Sequence, residues 1–443
     1  MNPIRSHWTG RYAFILAATG SAVGLGNIWK FPYIAGVNGG GLFVIIYLVC
    51  IAVIGLPILI AELYIGQKAQ ANTVDSYATL HKKNSFWQLP GWLGLISAYL
   101  ILSFYGVVGG WIFDYEFRAI TGAFADLNEA DLGALFGGLL SNAVRQIFWQ
   151  AVFMVLVIAI VFSGIREGLE RWNKILMPAL FVLLALLLLQ AMMLDGFSQA
   201  VQFLFSLNAD QLTSHGILEA VGHSFFTLSL GMGAMLTYGS YLSKTESLPK
   251  VAVTVALCDT FVALAAGLVI FSVVFSFDMK PGAGPGLVLS TLPVLFAKMA
   301  GGQWVAIGFY LLVGLAALTS AISILEVPVA YVSENWKVSR GTATIGIGLS
   351  IFLLGLLTVF SFNHLSDVKI FSYTFFYFFD KLTSSWLLPI AGIFISLFYG
   401  WKLGTPVMPV LGKFVCLNKM ILWSTRIVAP VAISALLVNS LVN

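Results

Sequence analysis

Eleven apolar stretches, each long enough to cross a bilayer as a helix, occupy most of this chain. They run at roughly 11–36, 40–68, 88–120, 143–162, 167–193, 215–241, 248–277, 302–335, 341–360, 383–402 and 418–440. A spanning helix needs about 20 apolar residues, and about 10 to 13 spans with their loops fit this length. Such a chain cannot cover a globular surface with polar groups: only 9% of it is charged, against about 25% in a soluble domain. A soluble enzyme and a nucleic-acid binder are excluded, and the net charge of +4 gathers into no basic tract. Cys50, Cys258 and Cys416 lie in or near apolar segments without metal-ligand spacing, so no disulfide framework is expected. The fold class is therefore an all-α polytopic membrane protein, a single transmembrane domain over residues 1–443.

The first apolar run has no A-x-A cleavage site at its end, which makes it a first spanning helix and not a signal peptide. With the N-terminus inside, the inner segments hold fifteen of the 23 basic residues and the outer segments seven, with Arg426 inside the last helix. That bias is the positive-inside pattern. An odd number of spans then places the C-terminus outside.

Segments one and six are abnormal. The first contains Thr19-Gly20-Ser21-Ala22-Val23-Gly24-Leu25-Gly26-Asn27, the sixth Thr227-Leu228-Ser229-Leu230-Gly231-Met232-Gly233. A glycine costs about 1 kcal/mol in a helix interior, so such clusters invite a break at mid-membrane. Irregular backbone there is tolerated only where it lines a cavity or is buried in protein. Close packing through small residues is the other reading of either cluster alone. The two lie five helices apart, which suggests a five-plus-five repeat. Because five is odd, the repeat must be inverted, a signature of transporter binding sites. The halves are expected at about 11–193 and 215–402, with an extra helix at about 418–440.

Asp259 sits in the apolar run VALCDTFVALAAG with no basic residue within a turn or two. An unpaired carboxylate at membrane depth is expensive and should find a cation or a proton. A protonated or helix-end structural role stays open from the residue alone.

The motifs GSAVGLGNIWKFPY (Gly20 to Tyr33), NGGGLF (Asn38 to Phe43), FFTLSLGMG (Phe225 to Gly233) and LTS (Leu318 to Ser320) resemble the neurotransmitter:sodium symporter family. The pattern is similar to that of its bacterial eleven-helix branch, over essentially the whole chain. The resemblance implies the leucine-transporter-like fold, with eleven transmembrane helices, a five-plus-five inverted repeat and broken helices 1 and 6. It implies no enzyme, but a symporter of the bacterial plasma membrane, importing an L-amino acid with sodium by alternating access. Two sodium sites, no organic cofactor, lipid surroundings and a monomer or weak dimer go with that reading.

By resemblance, the first sodium site would use the Ala22 and Thr227 carbonyls, the Asn27 amide oxygen, the Thr227 hydroxyl and Asp259. The second would use the Gly20, Val23 and Ala316 carbonyls with the hydroxyls of Thr319 and Ser320. Taken alone, a Thr-Ser pair more often bonds to its own helix carbonyls. The substrate carboxylate would meet the Leu25 and Gly26 N–H groups, at a half-helix N-terminus suited to anions, and the Tyr105 hydroxyl. The ammonium would meet the Ala22, Phe226 and Thr227 carbonyls and the Ser229 hydroxyl. Ser21, Ile101, Phe226, Met232, Ala321 and Ile324 would line the side-chain pocket, with Gly24 and Ser320 beside it. None of these is ionisable, which favours large apolar side chains. Asp259 with Ala263, where chloride-dependent relatives have an amide and a serine, implies chloride independence.

The outer gate would be Phe226 and Tyr105 with Lys30 and Asp380, and the inner latch Arg5, Trp8, Tyr241 and Glu334. The Gly168-x9-Pro178 spacing implies a helix 5 that unwinds to release sodium, although a harmless proline kink would give the same spacing. His223 is either a tuner of the outer gate or a neutral core histidine, and Glu62 and Glu326 read as structural hydrogen-bond partners. No HExxH, paired intramembrane aspartates, Ser–His dyad or GxxxxGK[ST] loop is present. The alternative is a channel, or an intramembrane binding protein of the same fold without concentrative transport.

Overall fold

The computed structural model describes residues 7–124, 129–207, 212–279, 287–404 and 415–442. Nine helices among them are long and apolar enough to cross a membrane: Gly41–Ala69, Phe86–Ile120, Ala143–Phe162, Ile165–Ala191, Leu248–Ser276, Gly302–Asn335, Arg340–Phe360, Phe375–Leu403 and Asn418–Ser440. A tenth is the bent pair Arg11–Ala22 and Gly26–Val37, whose halves meet at 49°. The eleventh is interrupted: Ser214–Thr227 unwinds and resumes as Ala234–Gly239. In chain order these are helices 1 to 11, with helix 1 the bent pair and helix 6 the interrupted one.

The molecule is apolar outside and polar at its centre, as a lipid-solvated protein must be. Val155, Leu186, Leu257, Phe261 and Leu353 are exposed, whereas Asn27, Glu62, Asp259 and Thr319 have no accessible surface. Hydrophobicity therefore marks which helices span, and polarity marks the faces that pack together.

Both breaks have a backbone cause. In helix 1 Val23 is extended (φ −69°, ψ 110°), and the N–H groups of Asn27 and Ile28 both turn back to the Gly24 carbonyl at 3.1 and 3.4 Å. In helix 6 Ser229, Gly231 and Gly233 have φ of 54°, 81° and 76°. Glycine adopts that left-handed region at little cost, while Ser229 is held there by its surroundings. The fully buried Glu62 of helix 2 anchors the break by accepting the Gly231 N–H at 2.6 Å.

Helix 10 starts at Phe375, eight residues before the expected position. Asp380 and Lys381 stand inside it: the Lys381 ammonium donates to the Tyr373 hydroxyl at 2.7 Å, so the charge pair does not end the helix. Helix 5 opens with a widened turn over Ile165–Glu170 and is wound from Arg171 through Pro178 to Ala191. Gly168 lies where any side chain would collide with the Ile160 carbonyl of helix 4. The glycine therefore also serves close helix packing.

Candidate functional site

The two breaks face each other across a small central cavity of about 20 Å³, roughly the room of one water molecule. Its walls are Ser21, Ala22, Gly24, Leu25 and Gly26 from helix 1, Ile101 and Tyr105 from helix 3, Phe226, Thr227, Ser229 and Met232 from helix 6, and Ser320 and Ile324 from helix 8. Thirteen of the fourteen residues expected at the substrate site thus come together. Ala321 does not line it, although it is fully buried. Ser320 and Ile324, four apart, share one helix face, and residue 321 is rotated about 100° away.

On one side of this cavity stands an oxygen cluster. The Asp259 carboxylate receives the Asn27 amide N–H at 2.7 Å, and the Thr227 hydroxyl lies 3.2 and 3.1 Å from its two oxygens. The Asn27 amide oxygen accepts the Gly24 N–H at 2.9 Å. Among the described residues no basic side chain pairs with Asp259, which has no solvent contact. A dry carboxylate with only neutral donors is a strong attractor for a monovalent cation.

On the other side, the Ser320 hydroxyl leaves its own helix and reaches the break, 3.4 Å from the Gly20, 3.2 Å from the Ser21 and 3.1 Å from the Val23 carbonyl oxygens. Thr319 behaves as an ordinary helical threonine, its hydroxyl 3.1 Å from the carbonyls of both Leu315 and Ala316. Helices 1 and 8 thus bring the Ser320 hydroxyl and three carbonyls of the break together without a charge, oxygens of the kind a hard cation takes.

The remaining groups expected at the substrate site lie around the same cavity. The Tyr105 hydroxyl is buried and lies beside Gly24, Leu25 and Ser320. Leu25 and Gly26 begin the second half of helix 1, where N–H groups precede the first intrahelical acceptor. The Ser229 hydroxyl donates to the Ser21 carbonyl at 2.7 Å, which ties the two breaks together.

The gate residues fall only partly as expected. Lys30 places its ammonium 4.8 Å from the centre of the Phe226 ring, a cation–π contact. No ion pair joins Lys30 to Asp380 among the described residues. His223 is enclosed between Phe31 and Tyr47, at ring distances of 6.0 and 5.3 Å, and neither ring nitrogen has a hydrogen-bond partner. On the opposite side Trp8 is buried against Tyr238 and Tyr241 and donates to the Tyr238 carbonyl at 3.1 Å. Tyr241 donates to Glu326 at 2.7 Å, and Glu334 receives Asn72. Arg5 lies outside the described residues. Arg340 was not singled out in the sequence: its guanidinium holds Glu326 with both terminal nitrogens. No spacing signals a pair formed by the helix 8–helix 9 turn.

The family model for the sodium:neurotransmitter symporter family matches residues 5–128 and 141–443. The chain belongs to that family. It is 41% identical over 396 residues to an uncharacterized sodium-dependent transporter of Bacillus subtilis (strain 168), covering 89% of this chain and 88% of the relative. A similar protein of Haemophilus influenzae is 33% identical over 413 residues, 91% of this chain and 90% of its own. The crystal structure of MhsT in complex with L-phenylalanine superposes with a TM-score of 0.91 at 44% identity, covering 98% of this chain and all of that one. This symporter-family member is accordingly a sodium-dependent, multi-pass secondary transporter of a small-molecule substrate and not an enzyme. Its fold is the leucine-transporter-like fold, with the inverted five-plus-five repeat and breaks in helices 1 and 6.

Proposed function

We propose that the protein is a chloride-independent symporter that imports large apolar L-amino acids, aromatic ones included, with sodium by alternating access. The observation that carries this reading is the meeting of a fully buried carboxylate, Asp259, with the Asn27 amide N–H and the Thr227 hydroxyl beside a cavity lined by Ile101, Phe226, Met232 and Ile324. The solved relative holds L-phenylalanine, which supports the same substrate class.

In this reading one sodium ion takes Asn27, Thr227, Asp259 and the Ala22 carbonyl, with the substrate carboxylate completing its shell. A second takes Gly20, Val23, Ala316, Thr319 and Ser320. Asp259 supplies the fixed negative charge that a chloride ion supplies in chloride-dependent relatives, and Ala263 offers no hydroxyl to hold one. Leu25, Gly26 and Tyr105 receive the substrate carboxylate, and Ala22, Phe226, Thr227 and Ser229 its ammonium. Methionine repacks easily, so Met232 swings aside to let the contracted cavity admit a ring. Phe226, Tyr105 and Lys30 close the outer side, and Trp8, Tyr241 and Glu334 the inner side. The Gly168–Pro178 segment of helix 5 opens the cytoplasmic exit. The halves are residues 11–193 and 215–402, with 418–440 added, in a bacterial plasma membrane with the N-terminus inside.

A competition panel of the twenty amino acids against sodium-dependent L-phenylalanine binding to purified protein tests the substrate class. Tryptophan, tyrosine, leucine and methionine are expected to compete. Burial of such a side chain contributes about 1.5 to 3 kcal/mol. Glutamate and lysine are expected not to compete, because no charge in the pocket meets theirs. Tight binding of a charged amino acid without competition from apolar ones would overturn the assignment.

A further inference from the structure

Helix 5 carries a polar group that none of the roles above uses. Asn173 is buried, its amide nitrogen donates to the Leu169 carbonyl at 2.7 Å, and its amide oxygen has no hydrogen-bond partner. The nitrogen's bond fixes which way the amide faces. The oxygen is aimed at Gly20: a side chain built there would collide with it, and would come within 3.2 Å of both Met177 Sδ and Thr319 Cβ. Gly20 is also the residue whose carbonyl lies 3.4 Å from the Ser320 hydroxyl.

A buried amide oxygen without a donor is destabilising compared with a leucine of the same size. The side chain stands beside Met177, one turn beyond the widened turn Ile165–Glu170, whose buried Glu170 is already engaged by Thr9 and Lys174. Helix 5 meets helix 1 at this point, so a widening of its first turns would bring water and the Asn173 oxygen into contact with the same space. Neutral amide oxygens are good ligands for hard monovalent cations, and a group with no competing donor needs no rearrangement to act as one.

We infer that the Asn173 amide oxygen is a transit ligand for sodium. It takes up the ion leaving the Gly20–Val23–Ala316–Thr319–Ser320 site toward helix 5, before water completes its shell. This rests on the reading of those residues as a sodium site. The role is kinetic. An intermediate oxygen lowers the barrier to release, while the resting site keeps all five of its own ligands.

The test compares the wild type, Asn173→Leu and Asn173→Asp in proteoliposomes, by equilibrium radiosodium binding and by the initial rate of L-phenylalanine uptake at saturating sodium. Asn173→Leu is expected to bind sodium as the wild type does, within about twofold, and to turn over about tenfold more slowly, equivalent to about 1.4 kcal/mol of barrier. Asn173→Asp keeps an oxygen but loses the donor to Leu169, and is expected to stay within about threefold of the wild-type rate. If Asn173→Asp is as slow as Asn173→Leu, the tether to Leu169 is what matters and the inference is overturned. Wild-type turnover in Asn173→Leu, or loss of its equilibrium sodium binding in a monodisperse preparation, overturns it as well. Should Asn173→Leu not fold, Asn173→Ala carries the same expectation. A wild type without sodium-dependent uptake would instead refute the transporter reading itself, and the inference with it.

Discussion

Asp259→Asn is expected to abolish sodium-driven uptake while leaving the protein folded. Among the described residues the carboxylate is the only charged group in its cluster, and its neighbours Asn27 and Thr227 are neutral donors. Removing one partner of a buried charge pair costs about 3 to 5 kcal/mol, and 3 kcal/mol corresponds to roughly a hundredfold in sodium affinity. The free protein behaves in the opposite sense. Without sodium, the buried charge is an expense that asparagine removes, so the variant should melt no lower than the wild type in sodium-free buffer. Sodium should then raise the melting temperature of the wild type and not of the variant, since only a bound ion stabilises. Chloride should not rescue Asp259→Asn, because Ala263 has no hydroxyl to help bind it. Uptake within threefold of the wild type, with or without chloride, would show that Asp259 is not the ion's counter-charge.

Gly24→Ala is expected to weaken substrate binding by shape alone. A methyl group at this position would stand 2.5 Å from the Ser320 hydroxyl oxygen and 3.2 Å from the Tyr105 hydroxyl. The hydroxyls belong to helices 8 and 3, so neither moves without disturbing a wall of the cavity. Overpacking of this kind costs about 1 to 3 kcal/mol, and displacing Ser320 also pulls its oxygen from the Val23 carbonyl, now 3.1 Å away. Binding of L-phenylalanine should weaken by about tenfold to a hundredfold. Gly346→Ala is the control. Nothing lies within 4 Å of the methyl it would add, and alanine favours an exposed helix position. Equal loss in both variants would mean that a general effect on helices, and not the cavity, is responsible.

The spans and the two breaks were legible because both are local. Apolar runs report burial in lipid, and clustered glycines report a backbone that does not stay helical. The residues that gather around the central cavity are named by the family's motifs: Asn27 within the break of helix 1, and Ser320 on helix 8, which faces it across 297 positions. What escaped the sequence is what the fold brings together from a distance. Glu62 caps the helix 6 break from 169 positions away, and Arg340 meets Glu326 only because helix 9 folds back on helix 8. The start of helix 10 lies earlier than charge, read as punctuation, suggests, because Lys381 reaches back to the Tyr373 hydroxyl just before the helix. Lys30 is matched to Asp380 by charge in the sequence and acts on it electrostatically in the fold, while its ammonium also lies over the Phe226 ring. A cation has a second kind of partner in an aromatic face, and sequence order does not show which is nearer. Asn173 carries no signal in the sequence, and its oxygen faces Gly20 only through the packing of helix 5 on helix 1.

The central claim is sodium-coupled accumulation of an apolar amino acid, and flux across a membrane tests it most directly. Purified protein would be reconstituted in sodium-free vesicles and given labelled L-phenylalanine outside, with an inward sodium gradient as chloride or as gluconate. The account predicts that the label rises transiently above its external concentration, equally with either anion, and that replacing sodium by potassium abolishes the overshoot. Mere equilibration with the outside concentration, or an overshoot that requires chloride, would contradict it.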